Sequence, residues 1–574
     1  MAHVILTEGL WNKEFCGDFK DGKNLFKAGQ SVDESAFSEN LTHGLVKWWN
    51  IELKDHTPEW AAEITGIDAK DIIEVATGFA KAAPQCGVWY GPNMMPRGSY
   101  AVMCMHALNG LVGATDSEGG VITGMGGAHS DHPSAAAFID DIAKAGLKHK
   151  KIDQRGSLEF PALKKGKSGG GVVTNNAANG ILAEDPMEIK VAIGYFNNFN
   201  FAGAEGERWD KAMSKVPFFA HVVTMACEMS MFADIVLPAA IHHTEQWAPV
   251  KSKANCYGHI SLQQPMVDKV VDGKAAETEL VWLLGEKLAA KGFTNVIDWL
   301  KSYKDPETGK SARNGEEFSE IATKVYTQKA WDPALNKDYK GDRPHGWQAF
   351  VDRGLANSER FTFRKKWKDG GGFKTKTKKF EFYSETLKKA LTGHADKHKV
   401  SVDKVLEVTN YEARGEQAFV PHYESPKRHG GTNAYPFDLV DMKSRLNREG
   451  RSANLTSYMG FKKCDPGDLN HEDVIQINPA DAKKIGVKEG EMVKVTSTIG
   501  SRKVRARLWE GVQPGTVAKC FGQGHWAYGR VASEEFGKIA RGANFNEIMP
   551  DDYDRLSGCT SRNGGFTGVK VEKA

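Results

Sequence analysis

Residues 189–240 constrain the fold more than any other stretch of the chain. They hold two short apolar runs, 189–193 and 218–224, each bounded by turn-prone or polar residues, and a third, 235–237, stopped by Pro238. Short β-branched runs without polar alternation predict strands buried on both faces of a parallel sheet. In open sheets of this kind, ligands sit beyond the carboxyl ends of the strands. The segments that follow the first two runs, Gly194-Tyr195-Phe196-Asn197-Asn198 and Thr224-Met225-Ala226-Cys227-Glu228-Met229, are therefore the expected floor of a binding site.

The rest of the chain is long enough for several domains, with 574 residues of which 40% are hydrophobic and 26% charged. A net charge of +3 predicts neither a nucleic acid nor a membrane surface as partner. No run approaches the roughly 18 apolar residues that span a bilayer, and residues 1–8 lack the basic and apolar segments of a signal peptide. The eight cysteines (16, 86, 104, 227, 256, 464, 520 and 559) include no Cys-x-x-Cys pair. This spacing argues against an iron–sulfur cluster or zinc site held by this chain alone, and favours free thiols over a disulfide framework.

In chain order, the first ~80 residues read as helical. Thr57-Pro58-Glu59 is a helix start, with a cap, a proline at the first helical position and an acid in the first turn, and Gly66 closes that helix. Asp68 opens the next, with Ile72, Ile73, Val75 and Ala76 as its expected apolar face. Residues 86–91 predict a strand, the Gly/Pro/Met-rich segment 91–98 a loop, and residues 100–111 a helix that ends in the glycine-rich 113–120. Residues 121–183, rich in Gly, Lys, Ser and Ala, read as a long loop or insertion, and His129-Ser130-Asp131-His132 within them as a surface loop. Residues 275–291 predict an amphipathic helix on the sheet; 300–430 are polar with weak periodicity, and the lysine run at 374–379 reads as a solvated face. From Pro436 onward, alternating stretches such as 492–498 and 504–508 are punctuated by tight turns, the signature of a small β-barrel.

The stretch 222–240, with Glu228 and the Ala-Asp-Ile-Val-Leu-Pro run at 233–238, resembles the molybdopterin oxidoreductases of the DMSO-reductase superfamily. Cys227 and Met229 stand where that family usually has threonines. The C-terminal region is similar to the family's barrel in five motifs in order: Ile-Asn-Pro-x-Asp-Ala at 477–482, Gly-Val-x-x-Gly-x-x-Val-x-Val from 486, Ile-Gly at 499–500, Val-Gln-Pro-Gly at 512–515 and Phe-Gly-x-Gly-His-Trp at 521–526. Residues 6–15 and 57–66 resemble the middle of such enzymes, so the resemblance implies a chain that corresponds to their C-terminal two-thirds. The N-terminal iron–sulfur and metal-ligand lobe is then expected elsewhere, on a longer reading frame or a separate chain, and catalytic residues are unknown.

The fold that the resemblance implies is α/β, a parallel-sheet dinucleotide-binding lobe plus a C-terminal small β-barrel domain. The expected units are 1–83, the helical tail of an α/β lobe; 84–290, the cofactor-binding lobe with its Gly/Lys-rich insertion; 291–430, a polar insertion and linker; and 431–574, the barrel. The implied cofactor is bis(molybdopterin guanine dinucleotide) with molybdenum or tungsten, with [4Fe-4S] only on the N-terminal part or a partner. Its expected contacts are Gly194, Asn197 and Asn198 in the first loop, Met225 and Glu228 in the second, and Asp234 at the third strand. In the barrel they are Lys443, Arg445, Ser452, Asn454, Gly524, His525, Trp526 and Asn546. Implied partners are an iron–sulfur electron-transfer subunit and a membrane anchor subunit. The implied activity is anaerobic respiratory oxidoreduction, nearer the polysulfide, thiosulfate and arsenate reductases. Formate dehydrogenases carry an arginine where Met103 stands here; a formate-type enzyme and a non-catalytic pterin-binding remnant are the alternatives.

Overall fold

The computed structural model describes the chain apart from residues 90–94, 123–128, 241–245, 270–272, 336–342, 368–371, 444–451, 457–472 and 562–564, and the side chains of 253 and 254. The three apolar runs form one parallel sheet, in the order Val191–Tyr195, Phe218–Val223, Ile235–Pro238. Met213 from the Gly206–Lys215 helix packs with Phe219, Cys227 and Met229 against one face. The expectation of burial on both faces does not hold. Val191 and Ile193 are each 61% exposed. Alternate strand residues share a face, so Val191, Ile193 and Tyr195 mark a side of the edge strand that stays open among the described residues.

Local chemistry sets the helices before this sheet. The Thr57 side chain accepts from the Trp60 N–H, Pro58 occupies the first turn, and Gly66 ends the helix in the left-handed conformation. In Ala69–Lys81 the buried stripe is Ala76 and Ala80 with Ile72 and Phe79 half-buried, while Ile73 and Val75 face solvent. That stripe follows the i, i+4, i+7, i+8 spacing of one helix face; Ile73 and Val75 fall to its sides. No strand forms at 86–89. Instead the buried Asn109, on helix Ser99–Leu111, accepts from the Val88 N–H at 2.7 Å and donates to the Val88 carbonyl at 3.2 Å, as a neighbouring strand would.

The first helices share one core with the Ser99–Leu111 helix and with residues 373–420: Trp11, Phe15, Trp48, Trp49 and Tyr100 pack with Phe382, Tyr383, Leu391 and Leu406. The described part of residues 121–183 carries two α-helices, Asp141–Lys148 and Asn176–Ala183, and a short 3-10 turn, Ala135–Ala137, between irregular segments. His132 stacks on Tyr326 at 4.8 Å, and no group of three or more metal-ligating side chains forms among the described residues. The expected helix near 275–291 begins as a π-turn, Ala276–Leu280, whose Ala276 and Leu280 pack on Val222 of the sheet, and continues as Val281–Ala289. Residues 300–430 are more ordered than their weak periodicity predicts. Gly315–Trp331, Glu385–His398 and Val402–Val408 are helices, started by Asn314, Ser384 and Ser401, whose side chains accept from the third residue on.

The C-terminal region is a closed six-stranded barrel. Neighbour by neighbour it runs Phe437–Met442, Thr516–Cys520, Val474–Ile477, Ser501–Leu508, Met492–Thr496 and Gly568–Lys573, the last pairing back onto the first. Closure removes exposed edges. Inward residues such as Ile475, Ile477, Val493, Val495, Val517 and Val569 are fully buried.

Because Asn109 pairs with both Val88 backbone groups, Asn109→Ala should cost about 2 kcal/mol of stability. Hydrogen exchange should show the Val88 amide losing protection while the barrel amides keep theirs.

Candidate cofactor site

The loops at the carboxyl ends of the first two strands meet a turn of the barrel, and one carboxylate joins them. Glu228 is fully buried. It accepts from Asn198 Nδ2 at 2.7 Å, His525 Nδ1 at 3.1 Å, and the backbone N–H groups of Trp526 at 2.9 Å and Ala527 at 3.1 Å. Asn198 completes the link by accepting from the Met229 N–H at 3.1 Å. Burial alone would raise the Glu228 carboxyl, but the hydrogen bonds and charge of His525, with those from Asn198 and Ala527, outweigh it and hold the carboxyl below its ordinary value.

Packing supports the same junction. The Phe201 ring stacks on His525 with centroids 3.6 Å apart. The Phe201 carbonyl accepts from Asn544 Nδ2 at 2.9 Å and from Asn546 Nδ2 at 3.0 Å, two side chains of the barrel. Gly524 has φ +91°, and a Cβ there would lie 2.1 Å from the Asn544 nitrogen, so only glycine lets the His525 turn lie against residues 543 and 544. On the sheet side, a Cβ on Gly194 would come within 3 Å of the His221 and Phe219 rings and of Asn197 Oδ1. His221 Nε2 faces the Asn197 carbonyl at 3.1 Å and so carries the proton, while Nδ1 accepts from Ser230 Oγ at 2.9 Å. Burial, opposed by that carbonyl, lowers the His221 pKa, in keeping with a neutral ring that pins the 196–198 turn.

Of the residues expected at the site, Gly194, Asn197, Asn198, Glu228, Gly524, His525, Trp526 and Asn546 are brought together here. Met225 and Asn454 meet one another beside it: Asn454 Nδ2 donates to the Met225 sulfur, and its Oδ1 accepts from Val531 and Ala532. Asp234 is elsewhere. Its carboxylate accepts from the Phe219 N–H at 2.7 Å, next to the Ala220–Ile235 pair, at the amino-terminal edge of the strands. A group there cannot line a site at the carboxyl ends. Glu228 is expected as a cofactor contact of the second loop; its oxygens engage four protein donors, and it holds two loops of the site together. Lys443 is exposed at the end of strand Phe437–Met442, Ser452 is buried, and Arg445 lies outside the described residues.

Several contributors have no signal in the sequence. Phe201, His221 and Ser230 look like ordinary sheet and helix residues. Lys519 and Asp473 form a buried ion pair beside a small pocket lined by Asp441, Gln523, Asn544 and Asn546. Burial, set against Lys519, leaves the Asp473 carboxyl raised. Two buried atoms in the junction, Asn197 Oδ1 and His525 Nε2, have no hydrogen-bond partner among the described residues. An amide oxygen and an imidazole nitrogen are the kinds of group that pair with the hydroxyls, phosphates and purine edges of a dinucleotide, so the residues present fit such a ligand.

Residues 454–565, which include the Gly524–Trp526 turn, match the family model described as Molydopterin dinucleotide binding domain. The whole chain aligns, at 66% identity over 576 residues, with the arsenate respiratory reductase molybdopterin-containing subunit ArrA of Chrysiogenes arsenatis, spanning 68% of that protein. The chain belongs to the molybdopterin oxidoreductases. A second relative in this family, the subunit of the same name from Shewanella sp. (strain ANA-3), is 51% identical over 577 residues, with all of this chain and 67% of the relative covered. Acetylene hydratase from Pelobacter acetylenicus shares the fold, with a TM-score of 0.65 at 17% identity, over 100% of this chain and 69% of that structure. As a molybdopterin oxidoreductase, this protein takes a molybdenum–pterin cofactor.

Glu228→Gln keeps the shape of the side chain but turns an amide NH2 toward the donors around it. The substitution should cost about 3 kcal/mol in urea unfolding at neutral pH. A carboxyl held below its unfolded-state pKa contributes stability above that pKa, which is lost as pH falls through the folded-state value. The difference between wild type and Glu228→Gln should therefore shrink as pH is lowered below about 4. A difference independent of pH would show that charge at Glu228 is not what holds the junction.

Proposed function

We propose that this chain is the cofactor-binding portion of an anaerobic respiratory arsenate reductase. The reading rests on the 66% identity to a molybdopterin-containing arsenate respiratory reductase subunit, which runs the length of the chain. It is supported by a junction whose buried Asn197 and His525 atoms can take the hydrogen-bonding groups of the cofactor. Reduction of arsenate to arsenite takes two electrons and two protons and releases one oxygen as water. Bound cofactor, here bis(molybdopterin guanine dinucleotide), supplies that redox chemistry.

The chain's own residues bind and orient. Asn197 and His525 offer the polar atoms; Asn198, Glu228 and Asn546 set the separation of sheet and barrel loops on which those atoms ride. Phe201 excludes water from one face of the His525 ring. Electrons come from an iron–sulfur electron-transfer subunit, and Met103, where formate-oxidising relatives carry an arginine, leaves this helix without a cation for formate.

Protein purified anaerobically should contain molybdenum and pterin, and should oxidise reduced viologen with arsenate in preference to thiosulfate, tetrathionate or polysulfide. Loaded protein that oxidises formate and leaves arsenate unreduced would refute the assignment. Substituting His525 by Ala should lower pterin content before it lowers thermal stability, as a ligand-facing atom requires.

A further inference from the structure

The inner face of the barrel changes character at one end. Alternate residues of a strand share a face, so Lys519 follows the inward Val517 on strand Thr516–Cys520, and Asp473 precedes the inward Ile475 on Val474–Ile477. The register sets Lys519 between Ile475 on one neighbouring strand and Asp441 on the other. An interior of Val, Ile and Leu thus ends in an ammonium and a carboxylate in direct contact, with side chains only 3% and 7% exposed.

Such a pair is a poor source of stability. Both charges lose their hydration on burial, and well-packed apolar side chains of similar volume serve a core as well or better. The pair does, however, grip the turn from 541 to 546. Asp473 accepts from the Ala543 N–H. Gly542, at φ +86°, lies so close to that carboxylate that a Cβ on it would overlap Asp473. Lys519 Nζ donates to the Cys520 carbonyl at 2.9 Å and stands 5.4 Å from the centre of the Phe545 ring.

That turn reaches the cofactor junction in two directions. The Arg541 N–H donates to the His525 carbonyl and the Gly524 N–H donates to the Arg541 carbonyl, both at 3.0 Å, which zips it to the Gly524–Trp526 turn. The Asn544 and Asn546 amides donate to the Phe201 carbonyl. A shift in the path of residues 541–546 is therefore passed both to His525 and to Phe201, whose ring stacks on it.

We propose that Asp473 and Lys519 are positioning residues of the cofactor site: the carboxylate, steadied by the ammonium, holds the Ala543 N–H and so fixes the turn against which His525 and Phe201 are set. The inference rests on the reading of this junction as the molybdenum–pterin site.

The test compares two double variants of the full chain, purified anaerobically with its cofactor. Lys519→Met with Asp473→Leu removes both charges and the acceptor for Ala543. Lys519→Gln with Asp473→Asn removes both charges and keeps a side-chain oxygen that can accept from it. Neither splits the pair and strands one of its charges, so both should fold. Hydrogen exchange is read at the Ala543 amide and at the barrel-strand amides 474–477 and 492–496, and release of molybdenum and pterin is followed at a fixed temperature. The apolar pair should keep the strand amides protected, expose Ala543 to exchange, and release pterin about tenfold faster, the scale seen when a group that orients a metal ligand is lost. The amide pair should stay within about twofold of wild type in both readings. Equal release from wild type and the apolar pair would overturn the proposal. So would release that rises alike in both variants, or only together with loss of strand protection, because the pair would then act on the barrel as a whole. His525→Ala is the control for the reading of the site. If it releases pterin no faster than wild type while the apolar pair does, the positioning role stands and the reading of His525 as a ligand-facing group falls.

Discussion

Everything at the candidate site depends on one buried carboxylate. A charge taken out of water is tolerated only when hydrogen bonds replace its hydration, and Glu228 has four donors that come from separate parts of the chain. Asn198 belongs to the loop after the first sheet strand; His525, Trp526 and Ala527 belong to the barrel. No arrangement that separates sheet from barrel leaves Glu228 satisfied. The two sides of the candidate site are thereby held in a single geometry.

The surrounding contacts work in the same direction. Phe201 lies flat on His525, and its carbonyl receives two barrel amides. The neutral His221 braces the Asn197 turn from beneath. Among the described residues, the buried junction atoms without a hydrogen-bond partner include the Asn197 amide oxygen and one imidazole nitrogen of His525. A preformed site with few convergent polar atoms is the usual form of a cofactor pocket.

Local sequence alone determined the elements whose cause is local. The three apolar runs are parallel strands, the Thr57–Gly66 helix starts and stops at its caps, and the alternating C-terminal stretches close into a barrel. Side-chain period and capping act over a few residues, so these features are legible without the fold. The loops at 194–198 and 225–229 were legible as a candidate site because they follow strand ends, whereas the 524–526 turn was expected only from the family resemblance. The helices of 300–430 were missed because their burial is irregular, although the caps at Asn314, Ser384 and Ser401 mark their starts. Only the tertiary structure decided which polar residue does what. Glu228 and His525 are 297 positions apart in the chain, and nothing near either announces the other. Asp234 reads as a neighbour of Glu228, yet strand direction puts it at the opposite edge of the sheet. The partner of a buried charge is set by how distant segments pack, and packing is a property of the whole chain.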